Sequence, residues 1–194
     1  KTLVTGSPVV AARRDWGELP PEQRLGVAVL GLHEGATMVV AAHESRLCRP
    51  VVGCDLSEVK RKEIATTHGI PVTDSYRQVL ENPEVKIVAI YTPDSLHADH
   101  ILAAFRAGKH VICTKPLIND LSRGRELREA AQQFGVRLQV GQSTRFGEPF
   151  LRQREMFEQG SLGEIEVVDA HYNHRMDWYY EKSPWTIKET HWAY

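Results

Sequence analysis

The sequence has few cysteines, no long apolar run and no excess of charge of either sign, and each shortage excludes a class of protein. Its three cysteines, Cys48, Cys54 and Cys113, are not spaced as C-x-x-C, so neither a zinc site nor a disulfide framework is indicated. No run of about 18 apolar residues occurs, so no membrane span is expected. Lys and Arg number 24 against 25 Asp and Glu, which argues against a nucleic-acid partner because phosphate binding needs a basic surface.

The cysteine content and the start of the chain predict the cellular compartment. Sparse cysteines fit reduced, buried thiols, so a cytoplasmic protein is expected. The start of the chain shows no charged segment followed by an apolar one, and hence no signal peptide. Because the first residue is Lys1 and not Met, a periplasmic or secreted protein whose export segment was removed stays open.

Short apolar runs alternate with helical patterns along most of the chain. The composition, 42% hydrophobic and 25% charged, is that of a globular protein. The predicted strands are unalternating and rich in Val and Ile, as is typical of strands covered on both faces: residues 25–30, 51–54, 86–91, 110–113 and 136–140. Helical patterns, each followed by a glycine, occupy residues 56–68, 95–107 and 120–134. This alternation predicts an α/β fold with a doubly wound parallel sheet.

Three regions are predicted. Residues 1–23 lack periodicity and are punctuated by Pro and Gly, so an N-terminal arm or linker is expected. Residues 24–142 hold the alternation and are predicted to form a dinucleotide-binding domain. Residues 143–194 carry one helical pattern at 149–159 and one strand pattern at 165–172, too little to bury a core. We therefore expect them to be the beginning of a second, truncated domain.

A glycine turn follows the first predicted strand. Residues 31–36 read GLHEGA, which approximates G-x-G-x-x-G/A, the turn that presents backbone N–H groups and a helix N-terminus to a pyrophosphate. Gly31 fills the first position and Ala36 is accepted at the third. His33 stands at the second, where it should obstruct the approach of the phosphates, and Gly35 is displaced by one from any required position. The turn alone is a weak motif.

Asp55 is a stronger sign of a dinucleotide site. It ends the second predicted strand, 19 residues after Ala36, where a carboxylate accepts hydrogen bonds from an adenosine ribose. Because the same charge repels a 2′-phosphate, NAD is favoured over NADP. The alternative is a structural role as a helix N-cap, since Leu56 and Ser57 open a helix.

Six short motifs follow one another along the chain. They are Thr92-Pro93, His97, Gly108-Lys109-His110-Val111, Lys115-Pro116, Arg145-Phe146 and Gly160-Ser161-Leu162-Gly163-Glu164. This ordered set resembles the Gfo/Idh/MocA oxidoreductases, which include glucose–fructose oxidoreductase and inositol dehydrogenase. The resemblance implies an N-terminal Rossmann domain followed by an α/β domain with an open sheet.

The resemblance also implies a function. Members of the family transfer hydride between a nicotinamide cofactor and a secondary alcohol of a sugar, inositol or related polyol. Carried over to this chain, the turn from Gly31 through His33 and Gly35 to Ala36 would meet the pyrophosphate of NAD, and Asp55 would meet the ribose.

On the nicotinamide side, Thr92, Pro93 and His97 would line the cleft, and Lys115 would be the catalytic residue. The Lys115 ammonium would hydrogen-bond the reacting hydroxyl, stabilise developing alkoxide charge and help to move the proton. The alternatives are structural: His97 as a helix N-terminal residue without a ligand, capped by Asp94 or Ser95 nearby, and Lys115 as a surface charge. Arg145-Phe146 is expected to latch the two domains together.

Two residues depart from the family pattern. His33 replaces a glycine of the turn, and Thr114 replaces the glutamate that commonly precedes Lys-Pro and contacts the nicotinamide side. These departures favour an alternative function, a non-catalytic dinucleotide-binding or regulatory relative on the same fold. The family's further catalytic acid and histidine have no counterpart before Tyr194, which leaves open that the chain alone is inactive.

No metal site is predicted near the end of the chain. Asp169 and His171 share a strand face, but His174 falls outside that period and a fourth ligand is missing. The late aromatic residues favour a core or an oligomer interface over stacking on a sugar ring. They are Tyr172, Trp178, Tyr179, Tyr180, Trp185 and Trp192. A homo-oligomer formed through the second domain is therefore expected.

Overall fold

The structure, a computed structural model, describes residues 17–171 and 173. Residues 18–141 form one compact unit, and residues 142–171 belong to a second. The first 16 residues of the predicted arm, His174 and the late aromatic residues lie outside the described residues. Among the helices that the structure describes, none has the length and apolar character that crossing a membrane requires.

The first unit contains a parallel six-stranded sheet. Its strands are β1 (Leu25–Leu30), β2 (Cys48–Cys54), β3 (Val72–Thr73), β4 (Val85–Ile90), β5 (His110–Thr114) and β6 (Leu138–Gly141). In space their order is β3-β2-β1-β4-β5-β6, and every neighbouring pair is parallel. Because the order reverses between β1 and β4, a crevice opens at the carboxyl ends of these strands, where doubly wound sheets bind ligands. The predicted fold class is confirmed.

Helices connect the strands. They are α1 (Ala36–Glu44), α2 (Glu58–His68), α3 (Tyr76–Glu81), α4 (His97–Arg106) and α5 (Arg123–Gln133), and α6 (Glu148–Glu158) lies in the second unit. Short 3-10 helices occupy Pro21–Gln23, Asp94–Leu96 and Ser143–Phe146. Ser57 and Ser75 cap α2 and α3 by accepting hydrogen bonds from backbone N–H groups of the first turn, and Gly69 ends α2 in the left-handed conformation.

Apolar side chains cover both faces of the sheet, which is why its strands show no alternation. On one face, Phe105 and Ile101 of α4 are fully buried against the central strands. On the other, Val39 of α1 and Ile64 of α2 fill the corresponding place. The helical and strand patterns did not predict α1, β3 and α3. All three are short, with 9, 2 and 6 residues, too few for a clear period.

The strand predicted at residues 165–172 is wrong for the part that the structure describes. Residues 165–171 adopt no regular structure, and Val167 and Val168 are 83% and 80% exposed. A strand needs a neighbour to satisfy its backbone N–H and C=O groups, and the described residues of the second unit contain no other strand. The helix predicted at residues 149–159 is present as α6.

The expectation of reduced, buried thiols is met at two of the three cysteines. All three are free, and Cys54 and Cys113 are buried, whereas Cys48 is half-buried. Burial raises the pKa of the Cys113 thiol to about 12, and burial together with the charge of Asp55 raises the pKa of Cys54 to about 11. Because the thiolate is the reactive form, these two thiols are unreactive at neutral pH.

A buried lysine explains the Gly108-Lys109-His110-Val111 motif. Lys109 is 9% exposed, and its Nζ donates hydrogen bonds to the carbonyl oxygens of Asn82 and Val85, each at 2.9 Å. Burial, with a contribution from the charge of Lys86, lowers the pKa of the Lys109 ammonium. This side chain ties the beginning of β5 to the loop that enters β4.

We expect Lys109→Met to lower the free energy of unfolding by about 1–3 kcal/mol, because two carbonyl oxygens would lose their buried donor. Urea unfolding followed by circular dichroism measures the change. Lys86→Met is the matched control: Lys86 is exposed on β4, so its substitution should change stability by less than about 0.5 kcal/mol. Equal losses in both variants would contradict the assigned role of Lys109.

Candidate functional site

Gly31 opens the turn at the crevice. Its φ is +89°, a conformation that side-chain-bearing residues rarely adopt, and a Cβ atom there would lie 2.6 Å from the carbonyl oxygen of Tyr91. The Gly31 N–H donates to the carbonyl oxygen of Cys54 at 2.8 Å. The backbone at Gly31 is therefore held between the ends of β2 and β4, and only glycine fits.

Gly35, and not Ala36, fills the close-packing position of the turn. A Cβ atom on Gly35 would lie 2.7 Å from Cγ1 of Val29 and closer still to the carbonyl oxygen of Gly31. Gly35 is buried and is the N-cap residue of α1, so its missing side chain lets α1 approach β1. The spacing of the motif predicts Ala36 as the residue of close helix–strand packing. In the structure the preceding residue, Gly35, has this role.

The first turn of α1 is suited to an anion. Within the described chain no side chain caps α1, in contrast to the serine caps of α2 and α3. The Thr37 and Met38 N–H groups donate only to backbone carbonyl oxygens of the turn, and the partial positive charge of a helix N-terminus attracts phosphate groups. The residues of the turn therefore fit the pyrophosphate of a dinucleotide.

His33 is an exposed residue of the turn. The pKa of the Glu63 carboxyl on α2 is lowered first by its hydrogen bond to Lys60, and His33 contributes a smaller electrostatic effect. The imidazole of His33 is thus near α2. Whether it obstructs a phosphate stays a prediction.

Asp55 connects the end of β2 to the glycine turn. Its Oδ2 accepts a hydrogen bond from the Leu32 N–H at 2.7 Å, and its Oδ1 accepts one from the Ser57 N–H at 2.8 Å. Since each carboxylate oxygen accepts more than one hydrogen bond, capacity for ribose hydroxyls is left. The N-cap of α2 is Ser57 and not Asp55.

Arg61, on α2, lies next to this carboxylate but is engaged by the backbone. Its Nη1 donates to the carbonyl oxygens of Asp55 and Leu56 at 2.7 and 2.9 Å. Its Nη2 lies 3.9 Å from the Asp74 carboxylate. The guanidinium therefore stabilises the connection between β2 and α2.

The residues expected on the nicotinamide side follow β4 and enter α4. The Thr92 hydroxyl is 3.0 Å from Nδ1 of His100, and the Thr92 carbonyl oxygen is 2.7 Å from Nε2 of His97. The His97 ring is 1% exposed and its hydrogen-bond contacts are with the chain itself, so its place in the nicotinamide cleft stays a prediction. Pro93 is half-buried between these elements.

Lys115 lies directly after β5, at the same carboxyl edge of the sheet. It is exposed, and its ammonium forms no hydrogen bond or ion pair with any residue that the structure describes. The Lys115–Pro116 peptide bond is cis. Thr114, the last residue of β5, is half-buried and pairs with Gly141 of β6.

Asp94 is a residue of this edge that the sequence motifs did not identify as a site residue. Sequence analysis offered Asp94 only as a cap, yet no described side chain caps α4. Its Oδ1 accepts from the Ser95 N–H at 2.9 Å, while its Oδ2 is buried without a hydrogen-bond partner among the described residues. Its position directly after Thr92-Pro93 was the available signal. A buried carboxylate oxygen of this kind can accept a hydrogen bond from a ligand.

The second unit contains two further pairs of residues that the sequence analysis names. Arg145 lies 5.8 Å from the centre of the Phe146 ring, and the latch that these two residues are expected to form stays a prediction. His171 and Asp169 form an exposed pair at 2.9 Å. Across the described residues, no group of three or more His, Cys, Asp or Glu side chains is arranged to hold a metal ion.

A family model described as an oxidoreductase family with an NAD-binding Rossmann fold, GFO_IDH_MocA, matches residues 25–142, more than half of the chain. The chain belongs to the Gfo/Idh/MocA oxidoreductase family. The resemblance carried by the ordered motifs is thereby confirmed. The sheet with its crevice between β1 and β4 is the Rossmann fold of this family.

Three similar proteins illustrate the family. Scyllo-inositol 2-dehydrogenase (NADP(+)) IolW of Bacillus subtilis is 32% identical over 102 residues, which are 53% of this chain and 28% of that protein. Inositol 2-dehydrogenase/D-chiro-inositol 3-dehydrogenase of Lactiplantibacillus plantarum is 25% identical over 159 residues, 77% of this chain and 45% of that protein. The crystal structure of an NAD-binding protein from Listeria innocua matches with a TM-score of 0.68 and 30% identity, covering 73% of this chain and 42% of that one.

This family member spans less than half the length of the curated relatives it matches. The names of the similar proteins also differ in cofactor, since IolW is named for NADP(+) and the Listeria protein for NAD. Membership of the family thus establishes an oxidoreductase fold that binds NAD or NADP. Family membership does not fix which of the two cofactors, or which substrate, is bound; the residues of the site determine both.

We expect Gly35→Ala to lower the free energy of unfolding by about 1–3 kcal/mol, because its Cβ atom would overlap the Gly31 carbonyl and Val29. Thermal and urea unfolding measure the loss. The matched control is Gly124→Ala in α5, whose Cβ atom would meet only Cδ1 of Ile118 at 3.6 Å. That change should be neutral or stabilising by up to about 1 kcal/mol. A Gly35 variant as stable as the control would show that α1 adjusts to the added methyl group.

Proposed function

We propose that this chain is the cofactor-binding part of an NAD-dependent dehydrogenase that acts on a secondary alcohol of a sugar, inositol or related polyol. The bound nicotinamide would supply a centre that accepts or donates hydride. The names of two similar proteins as inositol dehydrogenases support the substrate class. A homo-oligomer and a cytoplasmic location stay predictions.

The observation that carries the proposal is the hydrogen bond from the Leu32 N–H to Asp55. At 2.7 Å it joins the turn that would hold the pyrophosphate to the carboxylate that would hold the ribose. Two groups expected to bind adjacent parts of one dinucleotide are therefore adjacent in this chain. Lys115, after β5, lies at the same edge of the sheet, on the far side of β4.

The charges beside the ribose position favour NAD. The Asp55 carboxylate is directed to the turn, where it would repel the 2′-phosphate of NADP. Arg61 is the neighbouring cation, and its Nη1 already donates to two backbone carbonyl oxygens. Nη1 is therefore committed to the backbone, and a 2′-phosphate could reach only the remaining N–H groups of Arg61.

We expect Asp55→Ser to lower the ratio of the NADPH to the NADH dissociation constant at least about tenfold, because a like-charge contact with the 2′-phosphate would be removed. Calorimetric titration with both cofactors measures the ratio, which is insensitive to a general loss of affinity if the turn loosens. Glu84→Ser is the matched control. Glu84 lies just before β4, at the amino edge of the sheet, and its carboxylate pairs with Arg49. An unchanged ratio in the Asp55 variant would exclude Asp55 as the cofactor discriminator.

At the reacting end, Lys115 is the group proposed to contact substrate. Its exposed ammonium has no competing partner in the described chain, so it is available to hydrogen-bond the substrate hydroxyl. It would stabilise negative charge on that oxygen as hydride leaves the neighbouring carbon, and assist removal of the proton. The unpaired Oδ2 of Asp94 would accept a hydrogen bond from the cofactor or the substrate.

We expect Lys115→Met in the whole protein to abolish polyol oxidation while the affinity for NADH stays within about twofold, because the ammonium acts on the substrate oxygen and not on the fold. Polyols are screened by the formation of NADH, and affinity is measured by titration. Lys86→Met is the control. Lys86 is an exposed lysine at the amino end of β4, away from the carboxyl edge of the sheet, so this variant should keep full activity.

Retained oxidation in the Lys115 variant would remove this residue from the mechanism. Binding of NADH without oxidation of any polyol by the wild-type protein would favour the alternative, a non-catalytic dinucleotide-binding or regulatory relative. His33 and Thr114 are the residues that support this alternative, since both depart from the family pattern.

A further inference from the structure

His97 contacts two loops that are distant in sequence. Its Nε2 lies 2.7 Å from the carbonyl oxygen of Thr92, in the loop after β4. Its Nδ1 lies 2.9 Å from the carbonyl oxygen of Pro116 and 3.2 Å from that of Leu117, in the loop after β5. The ring is 1% exposed, so these contacts are shielded from water.

Both ring nitrogens of His97 thus face hydrogen-bond acceptors. A neutral imidazole donates from one nitrogen and a protonated imidazole from both, so in every protonation state at least one loop receives a hydrogen bond from the ring. Removing the ring would take away this buried donor and the contacts of the ring with both loops. That loss affects these two loops first.

Thr92 is held from a second direction. Its hydroxyl lies 3.0 Å from Nδ1 of His100, whose own carbonyl oxygen accepts a hydrogen bond from the Tyr76 hydroxyl at 2.8 Å. The rings of Tyr76 and His100 also pack edge to face, with centroids 5.2 Å apart. The loop after β4 is therefore attached to α4 and, through His100, to α3. His97 extends these contacts to the loop after β5.

The two loops carry the groups proposed for the nicotinamide side. Thr92-Pro93 and Asp94 belong to the first, and Lys115 immediately precedes Pro116 in the second. Asp55 and the glycine turn, proposed for the adenosine and pyrophosphate, belong to β1 and β2 on the other side of the crevice. Among the described residues, the hydrogen-bond contacts of the His97 ring all lie on the nicotinamide side.

We propose that His97 is a positioning residue, which fixes the loop of Lys115 against the loop of Thr92 and so shapes the nicotinamide half of the crevice without contacting the cofactor. This inference rests on the proposed function. In this role His97 does not line the cleft itself. The inference predicts that substitution of His97 weakens binding of the nicotinamide half of the dinucleotide and not of the ADP-ribose half.

The test compares NADH with ADP-ribose, which lacks the nicotinamide. Both are titrated calorimetrically into the 194-residue chain and its His97→Leu variant, with NADPH and 2′-phospho-ADP-ribose as the parallel pair. We expect the variant to bind the nicotinamide dinucleotide about tenfold more weakly, a difference of ~1.4 kcal/mol. Its affinity for the matching ADP-ribose should stay within about twofold of wild type.

His110→Leu is the matched control. His110 lies at the opposite end of β5, where its Nδ1 accepts a hydrogen bond from the Arg137 N–H at 3.1 Å. This variant also loses a histidine contact with the backbone, yet it should bind both ligands like wild type. A loss specific to NADH in His97→Leu and absent from His110→Leu supports the inference.

Equal weakening of both ligands in His97→Leu would mean that the residue only supports the fold, and unchanged binding of both would mean that the loops do not need it. Either result overturns the inference, while the proposed function still stands because the wild-type chain binds the cofactor. If the wild-type chain binds none of the four ligands, the proposed function itself fails, and the inference with it.

If His97→Leu does not fold, His97→Gln takes its place. A glutamine amide places its nitrogen near the position of Nε2, so it keeps a donor for Thr92 and loses the one for Pro116. The same selective loss of NADH affinity, smaller than tenfold, is expected. Equal loss of both ligands, or no loss, again overturns the inference.

Discussion

The close backbone approach at Gly31 is the contact on which the rest of the site depends. Its N–H reaches the end of β2, and the space where a side chain would stand is filled by the Tyr91 carbonyl after β4. A residue with a Cβ atom would separate β1 from β4 at the point where the strand order reverses. The crevice exists because three strand ends meet there with no side chain between them.

Polar groups around the crevice are arranged in two halves. On the β2 side, Asp55 accepts backbone N–H groups from the turn and from α2, so its charge is held in place by the fold. On the β5 side, His97 faces the carbonyl oxygens of two loops, and Lys115 stands exposed beside it. Each half uses a buried or half-buried side chain to order backbone.

Much of the fold was predictable because parallel strands covered on both faces leave unbroken apolar runs. The runs ending at Leu30, Tyr91 and Cys113 predicted three central strands and hence the edge at which the site lies. Two errors have physical causes. β3 is too short to produce a pattern, and the run at residues 165–172 has the composition of a strand but no neighbouring strand among the described residues.

The sequence by itself determined the alternation of strands and helices, the glycine turn, the acid after β2 and the lysine after β5, since each is a local pattern of a few residues. Only the tertiary structure decided that Gly35 replaces Ala36 at the close contact with β1, that Asp94 has a buried oxygen without a described partner, and that His97 joins two loops. These properties depend on atoms from segments far apart in the chain. The local pattern does not show which carbonyl oxygen or side chain will lie within about 3 Å of another group once the chain has folded.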